Sequence, residues 1–338
     1  MLSIIIPCLN EQEHLTLLLN QLTQQKSVSL EILVVDGGST DETSACATTK
    51  GAKVILSPQG RGRQQNKGAA EANGELLLFL HADSRLEHEF QLSESLEAIK
   101  RAPKRTAGHF QLKFEAKDPQ IQRRLSVFEY KSLLNRADTF SGDQGLLIYS
   151  EDFKAMGGFS ETYHFLEDKK FAERYSNYGQ FTTLSSRLYT SARRFEEEGL
   201  EERLTLNTLI MAMFHLKSDY FFSRATQAYR ASKHSTRLNL HPLFKLSHKA
   251  IFHQGLLQGI VNFSSLGRYA AKNLWQTGLS FHIKRGRPDL WLKYFDKFLK
   301  PITDNTVGHL IGAFIVTTWY YSRFIPLAIR SRMKMRVK

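Results

Sequence analysis

The chain has 338 residues, 42% hydrophobic and 23% charged, a composition that excludes global disorder and allows one large domain with an appendage. Its only cysteines, Cys8 and Cys46, exclude a disulfide framework or a cysteine-based metal site. The net charge of +13 is uneven: Glu201 to Lys338 holds 22 Lys and Arg against 6 Asp and Glu, a net of +16, and the preceding part holds 24 against 27, a net of −3. That asymmetry predicts an anionic partner for the C-terminal third, either a membrane surface or nucleic acid.

The N-terminus has no basic n-region and reads as a first strand, Leu2 to Pro7, apolar enough to be buried on both faces. Glu11 to Gln25 follows as a helix, with Leu15, Leu18, Leu19 and Leu22 at helical spacing. Glu31 to Asp36 is the second strand, Ala52 to Leu56 the third and Glu75 to Leu80 the fourth. Strands alternating with helices predict an α/β fold with a mostly parallel, two-sided sheet. Beyond it, Ala107 to Phe114 and Gly142 to Tyr149 read as strands, and Arg123 to Leu134 and Glu167 to Tyr178 as helices. Between Gly199 and Tyr229 the character turns aromatic, helical and basic, and it stays so to the end.

Polar clusters stand where the strands end: Pro7, Cys8, Leu9, Asn10 and Glu11 after the first, Asp36 to Asp41 with Gly38 after the second, and His81, Ala82 and Asp83 after the fourth. Each alone is a common turn signal, but three at successive strand ends converge on the crevice where open parallel sheets bind ligands. A carboxylate fixed at a strand end, as Asp83 is, can hold a Mg²⁺ or Mn²⁺ that neutralises a diphosphate leaving group; it can equally cap the next helix. His81 is either a partner of that site or a crevice wall. In Gly60 to Gly68, the glycines allow close backbone approach and Arg63 and Asn66 stand among side chains able to clamp phosphates.

The stretches SIIIPCLNE, EILVVDGGSTDET, GRGRQQNKGA, LLLFLHADS, SGDQG, FLEDKKFAER and TSARRFEEEG occur in that order. Together they resemble the inverting family 2 glycosyltransferases of GT-A fold, most closely the arsenosugar-biosynthesis-type branch, from Leu2 to about Tyr229. The resemblance implies a nucleotide-sugar donor, with Pro7, Asn10 and Glu11 lining the base and ribose pocket and Asp36 at the nucleobase. His81-Ala82-Asp83 stands where the wider family has Asp-Ala-Asp, which keeps the metal-binding Asp83 and replaces the first aspartate. Glu167 and Asp168 match the acidic pair that supplies the catalytic base, with Asp168 favoured. Arg193 and Arg194 resemble a basic pair that steadies the diphosphate; a structural bridge to Glu196 to Glu198 is the alternative.

These readings divide the chain into a catalytic domain over 1–229 and a basic helical extension over 230–338. Lys249 to Arg268 and Asp304 to Arg323 each enclose 18 residues without Asp, Glu, Lys or Arg, at the lower edge of the roughly 17 to 25 that span a bilayer. Polar Asn262, Ser264, Ser265, His309, Thr317 and Thr318 interrupt them, which favours in-plane or re-entrant helices over true spans. Trp275, Trp291, Trp319, Tyr320 and Tyr321 suit the interface, and the polybasic tail from Arg330 suits a cytoplasmic leaflet. The expectation is a sugar transfer to a hydroxyl acceptor, lipid-linked in one version, on the cytoplasmic face of the cell membrane. A sugar nucleotidyltransferase would carry its Gly/Arg loop directly after the first strand, and a nucleic-acid-binding protein would show a recognisable binding motif; neither feature is present.

Overall fold

A computed structural model describes residues 1–135, 139–162, 166–232 and 237–336. Its contacts divide the chain into two compact units, Met1–Ala192 and Arg193–Lys338; the sequence reading had drawn its boundary at 229/230.

The first unit is built as β1 (Leu2–Cys8), α1 (Gln12–Thr23), β2 (Leu30–Asp36), α2 (Thr43–Thr49), β3 (Lys53–Leu56), α3 (Arg61–Glu71), β4 (Leu76–Phe79), β5 (Arg85–Leu86), α4 (Gln91–Arg101), β6 (Thr106–Glu115) and α5 (Pro119–Lys131). A 3₁₀ turn (Gly142–Gln144), β7 (Leu146–Tyr149), α6 (Ser150–Ala155), α7 (Glu167–Tyr175) and β8 (Gln180–Ser191) complete it. The strands form one sheet in the order β3-β2-β1-β4-β7-β6-β8-β5. β1 pairs in parallel with β2 and β4, and β2 with β3. β7 runs antiparallel to β4 and β6, while β6 and β8 are parallel.

Packing explains the sequence pattern. Ile4, Ile5 and Ile6 are all fully buried because helices cover both faces of the sheet, so apolar residues run on without alternation. Leu15, Leu18, Leu19 and Leu22 of α1 are buried against one face with Ile4 and Ile6. Ile5, Val35 and Phe79 turn to the other, where Phe153, Phe159 and Phe171 pack. β8 went unread in the sequence. Its core side chains alternate as Leu184, Ser186, Leu188 and Thr190, so half of its buried face is polar and the period-2 hydrophobic signal is weak.

The second unit is helical: α8 (Arg193–Glu198), α9 (Leu200–His215), α10 (Asp219–Ser232), α11 (His241–Ile251), α12 (Leu256–Lys272), α13 (Trp275–Lys284), α14 (Pro288–Tyr294), a π-turn (Phe295–Leu299), α15 (Lys300–Thr303) and α16 (Thr306–Arg336). Among the described residues no helix is long and apolar enough to cross a membrane.

Gly68 shows how closely α3 is set on the sheet. A Cβ there would lie 2.6 Å from Ile5 Cγ2 and 2.9 Å from Val35 Cγ2, on strands that cannot retreat. Gly68→Val is expected to cost about 1–3 kcal/mol through overpacking. A urea titration should show a lower midpoint with an unchanged slope.

Candidate active site

The ends of β1 and β2 are tied together by side chains. Asn10, with φ of 54°, accepts the Thr40 N–H at 2.8 Å and donates its own N–H to Ser39 Oγ at 2.9 Å. The Glu11 N–H goes to Thr43 Oγ1 at 3.0 Å. Asp36 is 3% exposed, and its Oδ1 accepts from the Gly38 N–H, the Ser39 N–H and Ser39 Oγ at 3.1, 2.9 and 2.7 Å, while Oδ2 accepts from Ser44 Oγ. Burial pushes this carboxyl upward, but the bonds from Ser44, Ser39 and Gly38 outweigh it and hold Asp36 below its ordinary range. Pro7, Asn10, Glu11, Asp36 and Gly38 thus share one region. Gln64, which the sequence did not single out, closes its floor by donating to the Cys8 and Val35 carbonyls at 2.9 and 2.8 Å.

Along α3 the polar residues divide. Arg63 lies 3.5 Å from Glu161. Asn66 donates to the Phe159 carbonyl at 3.0 Å and accepts the Phe159 N–H at 2.8 Å, so both staple α3 to the loop that carries Phe159 and Glu161. Arg61, at the start of the helix, instead lies 3.3 Å from Glu167, which is 1% exposed. Burial works against the Arg61 charge, yet Glu167, Asp168, Asp143 and Asp83 together raise its proton affinity. Its side chain keeps 37% of its surface in solvent, so the attraction is screened and is no measure of stability.

Three chain segments supply those carboxylates. Because β7 runs antiparallel to β4, with Phe79 opposite Leu146, the segment entering β7 lies beside the one leaving β4. This brings Asp143 within 3.0 Å of His81 Nδ1. Glu167 and Asp168 open α7 after Leu166, whose left-handed φ of 62° is a strained conformation for a leucine, costing on the order of 1–3 kcal/mol. Phe165, the first residue of that motif, lies outside the described residues. Asp168 accepts the Gly142 N–H on Oδ2 and the Lys169 N–H on Oδ1. A Cβ on Gly142 would come within 3.1 Å of His81 Nε2 and 3.2 Å of Asp168 Oδ2, so the missing side chain lets these two groups stand close together. Glu167 is different. Neither oxygen takes a hydrogen bond among the described residues, and burial raises its pKa more than Arg61 lowers it.

Asp83 is half-buried and, among the described residues, receives no hydrogen bond. No group of three or more His, Cys, Asp or Glu there could hold a metal ion on its own. A cation on Asp83 would need its coordination completed by phosphate oxygens, the habit of Mg²⁺ with nucleotides. Arg193 and Arg194 open α8 in the second unit, where Glu198 is engaged by Arg203 at 3.1 Å and by the Tyr229 hydroxyl.

The loop carrying Gly142 and Asp143 has its own support. Gln144 accepts the Ser141 N–H at 2.7 Å, and its amide nitrogen lies 3.0 Å from His109 Nδ1 and donates to the Ser132 carbonyl at 3.1 Å. His109 Nε2 lies 3.1 Å from Asn135 Oδ1. The imidazole is therefore neutral, accepting at Nδ1 and donating at Nε2. Burial drives its pKa below the ordinary 6.5, against the pull of Asn135 and the Phe110 carbonyl. A base with a depressed folded pKa contributes stability that is complete above about 6.5 and is lost as pH falls through the folded value. His109→Gln removes this titration. Thermal melts from pH 7.5 to 5 should show the wild type losing stability relative to the variant as the pH drops.

Residues 3–159 match the sequence profile described as glycosyl transferase family 2. A PGL/p-HBAD biosynthesis glycosyltransferase of Mycobacterium tuberculosis is 40% identical over 93 residues, 25% of this chain and 36% of the relative. An uncharacterized glycosyltransferase of Haemophilus influenzae is 27% identical over 178 residues, covering 51% and 60%. The chain thus spans about a third of the length of the first curated relatives it matches. Among solved structures, S. aureus TarS 1-349 in complex with UDP-GlcNAc is similar with TM-score 0.48 and 18% identity over 86% of this chain and 89% of that one. Mannosyltransferase PcManGT from Pyrobaculum calidifontis, in complex with GDP-Man and Mn²⁺, gives 0.48 and 16% over 94% and 87%. The matched residues 3–159 lie within the first unit, whose α/β fold is of the GT-A type.

Proposed function

We propose that this glycosyltransferase domain moves a sugar from a nucleoside-diphosphate donor to a hydroxyl acceptor with inversion, at the cytoplasmic surface of a membrane. The observation that carries the reading is the meeting of Asp83, Asp143, Glu167 and Asp168 around Arg61, beside the linked ends of β1 and β2, within a family 2 glycosyltransferase domain. The arsenosugar-biosynthesis-type branch is the part of the family this reading favours for the first unit.

Roles follow from the surroundings. Pro7, Asn10, Glu11, Asp36 and Gly38 form the wall for base and ribose. Asp168 is the general base: it is half-buried rather than enclosed, and the Gly142 N–H fixes its orientation. It takes the proton of the acceptor hydroxyl as that oxygen attacks the anomeric carbon from the face opposite the diphosphate. The bond from that carbon to the diphosphate oxygen breaks, and the configuration inverts. Glu167, enclosed and facing Arg61, positions the guanidinium. Arg63, Asn66 and His81 support the loops around the diphosphate. A Mg²⁺ or Mn²⁺ on Asp83 would neutralise charge on the departing diphosphate. The net +16 beyond Glu201 supports an anionic lipid surface as partner, and the acceptor is then lipid-linked.

Asp168→Asn is expected to lower transfer by about 10² or more while nucleotide-sugar binding, followed by calorimetry, persists. A purely structural Asp168 would instead cost about 1 kcal/mol of stability with turnover kept, an outcome that removes the base assignment. Asp83→Ala should abolish transfer without lowering the melting temperature; near-normal turnover in added Mn²⁺ would exclude Asp83 as the metal ligand. The membrane reading predicts co-sedimentation with anionic vesicles that weakens with salt, and no retention on DNA.

A further inference from the structure

Helix α16 carries an apolar face that its own unit does not cover. Val307, Ile311, Phe314, Ile325, Ile329 and Met333 are all exposed, Phe314 at 72%, and they recur at helical spacing of three or four or its multiples. At 1.5 Å per residue the stripe runs roughly 39 Å, and from Asn305 to Ser322 it meets no Asp, Glu, Lys or Arg. Apart from the exposed Thr318 and Ser322 between Phe314 and Ile325, the stripe is apolar, and an exposed apolar stripe of this kind marks an interaction surface.

The opposite face of α16 is fixed. Tyr320 is buried and donates its hydroxyl to the Phe244 carbonyl at 3.0 Å, with Ser247 Oγ at 2.8 Å. Phe263 of α12 stacks near Tyr320, while Gly267 lies against Gly312 and Ala313, so α12 and α16 pack antiparallel. A Cβ on Gly267 would lie 2.3 Å from the Ala313 nitrogen, and one on Gly312 would lie 2.5 Å from the Gly267 carbonyl oxygen. The two backbones touch, which leaves α16 no freedom to rotate its outer face inward. Nor can α16 surround itself with lipid, since one side is already occupied by protein.

We infer that α16 lies in the plane of an anionic membrane, its outer stripe from Val307 to Met333 sunk among the acyl chains and Arg323 and Arg330 at the phosphates. This rests on the membrane reading proposed above and names the surface responsible. Charge selects lipid over a second copy of the chain: two copies meeting through this face would bring together two regions of +16, which repel, whereas anionic head groups neutralise them. Trp319, with the Arg323 guanidinium 4.6 Å from its ring centroid, supplies the amphipathic pair expected at head-group depth.

The test is flotation of the full-length protein with phosphatidylcholine vesicles, with and without one-quarter phosphatidylglycerol. Ile311→Asp with Phe314→Asp should weaken binding to the anionic vesicles by roughly tenfold or more, with the far-ultraviolet spectrum unchanged. Leu17→Asp, an exposed apolar residue of α1, should bind as wild type does. If the double variant folds poorly, Phe314→Gln alone should show a smaller loss of the same sign. Wild-type binding that the α16 variants do not reduce overturns this surface and leaves the membrane reading standing. Absence of wild-type binding overturns both. A concentration-dependent dimer by sedimentation, dissolved by the double variant without any vesicle binding, makes the stripe a protein interface and overturns the lipid assignment.

Discussion

Arg61 stands 3.3 Å from the enclosed carboxylate of Glu167, with Asp83, Asp143 and Asp168 close enough to strengthen its hold on its proton. These five side chains arrive from four places: the start of α3, the turn after β4, the turn before β7 and, for both Glu167 and Asp168, the first turn of α7. Their meeting depends on strand order and direction. Had β7 run parallel to β4, the segment entering it would lie at the far end of the sheet and His81 would have no Asp143. The chemistry of the site is thus a consequence of one topological choice, the antiparallel insertion of β7 beside an otherwise parallel half-sheet.

Close approach does the rest, and glycine is the means in both units. In the first, the missing Cβ of Gly142 lets a backbone N–H reach Asp168 while His81 stands on the same atom's other side. Gln144, two residues on, hangs the whole turn from His109, on the strand where the β6–β8 register shifts at His109/Gln111. Such a bulge re-aims side chains locally, and here it coincides with the imidazole that supports the acidic turn. A buried polar network of this kind is stabilising only while every member is paired, so the positioning of the carboxylates is coupled to a neutral histidine well behind them.

Much of this was legible from the sequence, and the boundary of legibility is physical. The strands β1, β2 and β4 announced themselves because burial on both faces demands uninterrupted Ile, Leu and Val. The buried face of α1 followed from four leucines, and Asn10, Asp36 and Asp83 followed from their places after those strands. Arg61, Gln64, His109 and Gln144 did not, because each matters through a partner 26 to 106 positions away. Gln64 satisfies carbonyls of two strands it does not adjoin in sequence, and no local pattern marks an amide for that role. β8 was missed for the converse reason: its core-facing Ser186 and Thr190 look like loop residues until the neighbouring strand is known. In the second unit the composition revealed charge and aromatic content, but not which face of α16 its own unit would use.

The charge of the site constrains what it can bind. Four carboxylates stand near one guanidinium, and a nucleoside diphosphate brings about two further negative charges to the same region. Without compensation the donor would be repelled at the distance where it must react. Burial provides part of the answer by raising the proton affinity of Glu167 against the pull of Arg61. That is not enough for a dianion beside Asp83 and Asp168. In the proposed reading a divalent cation on Asp83 would change the sign of the local potential where the phosphates would lie, away from Asp168. The same carboxylates that would repel a bare diphosphate would then attract a cation–diphosphate pair. In that arrangement the acidic cluster would discriminate between a donor arriving with its metal and the free nucleotide, a form of selectivity that needs no contact with the sugar at all.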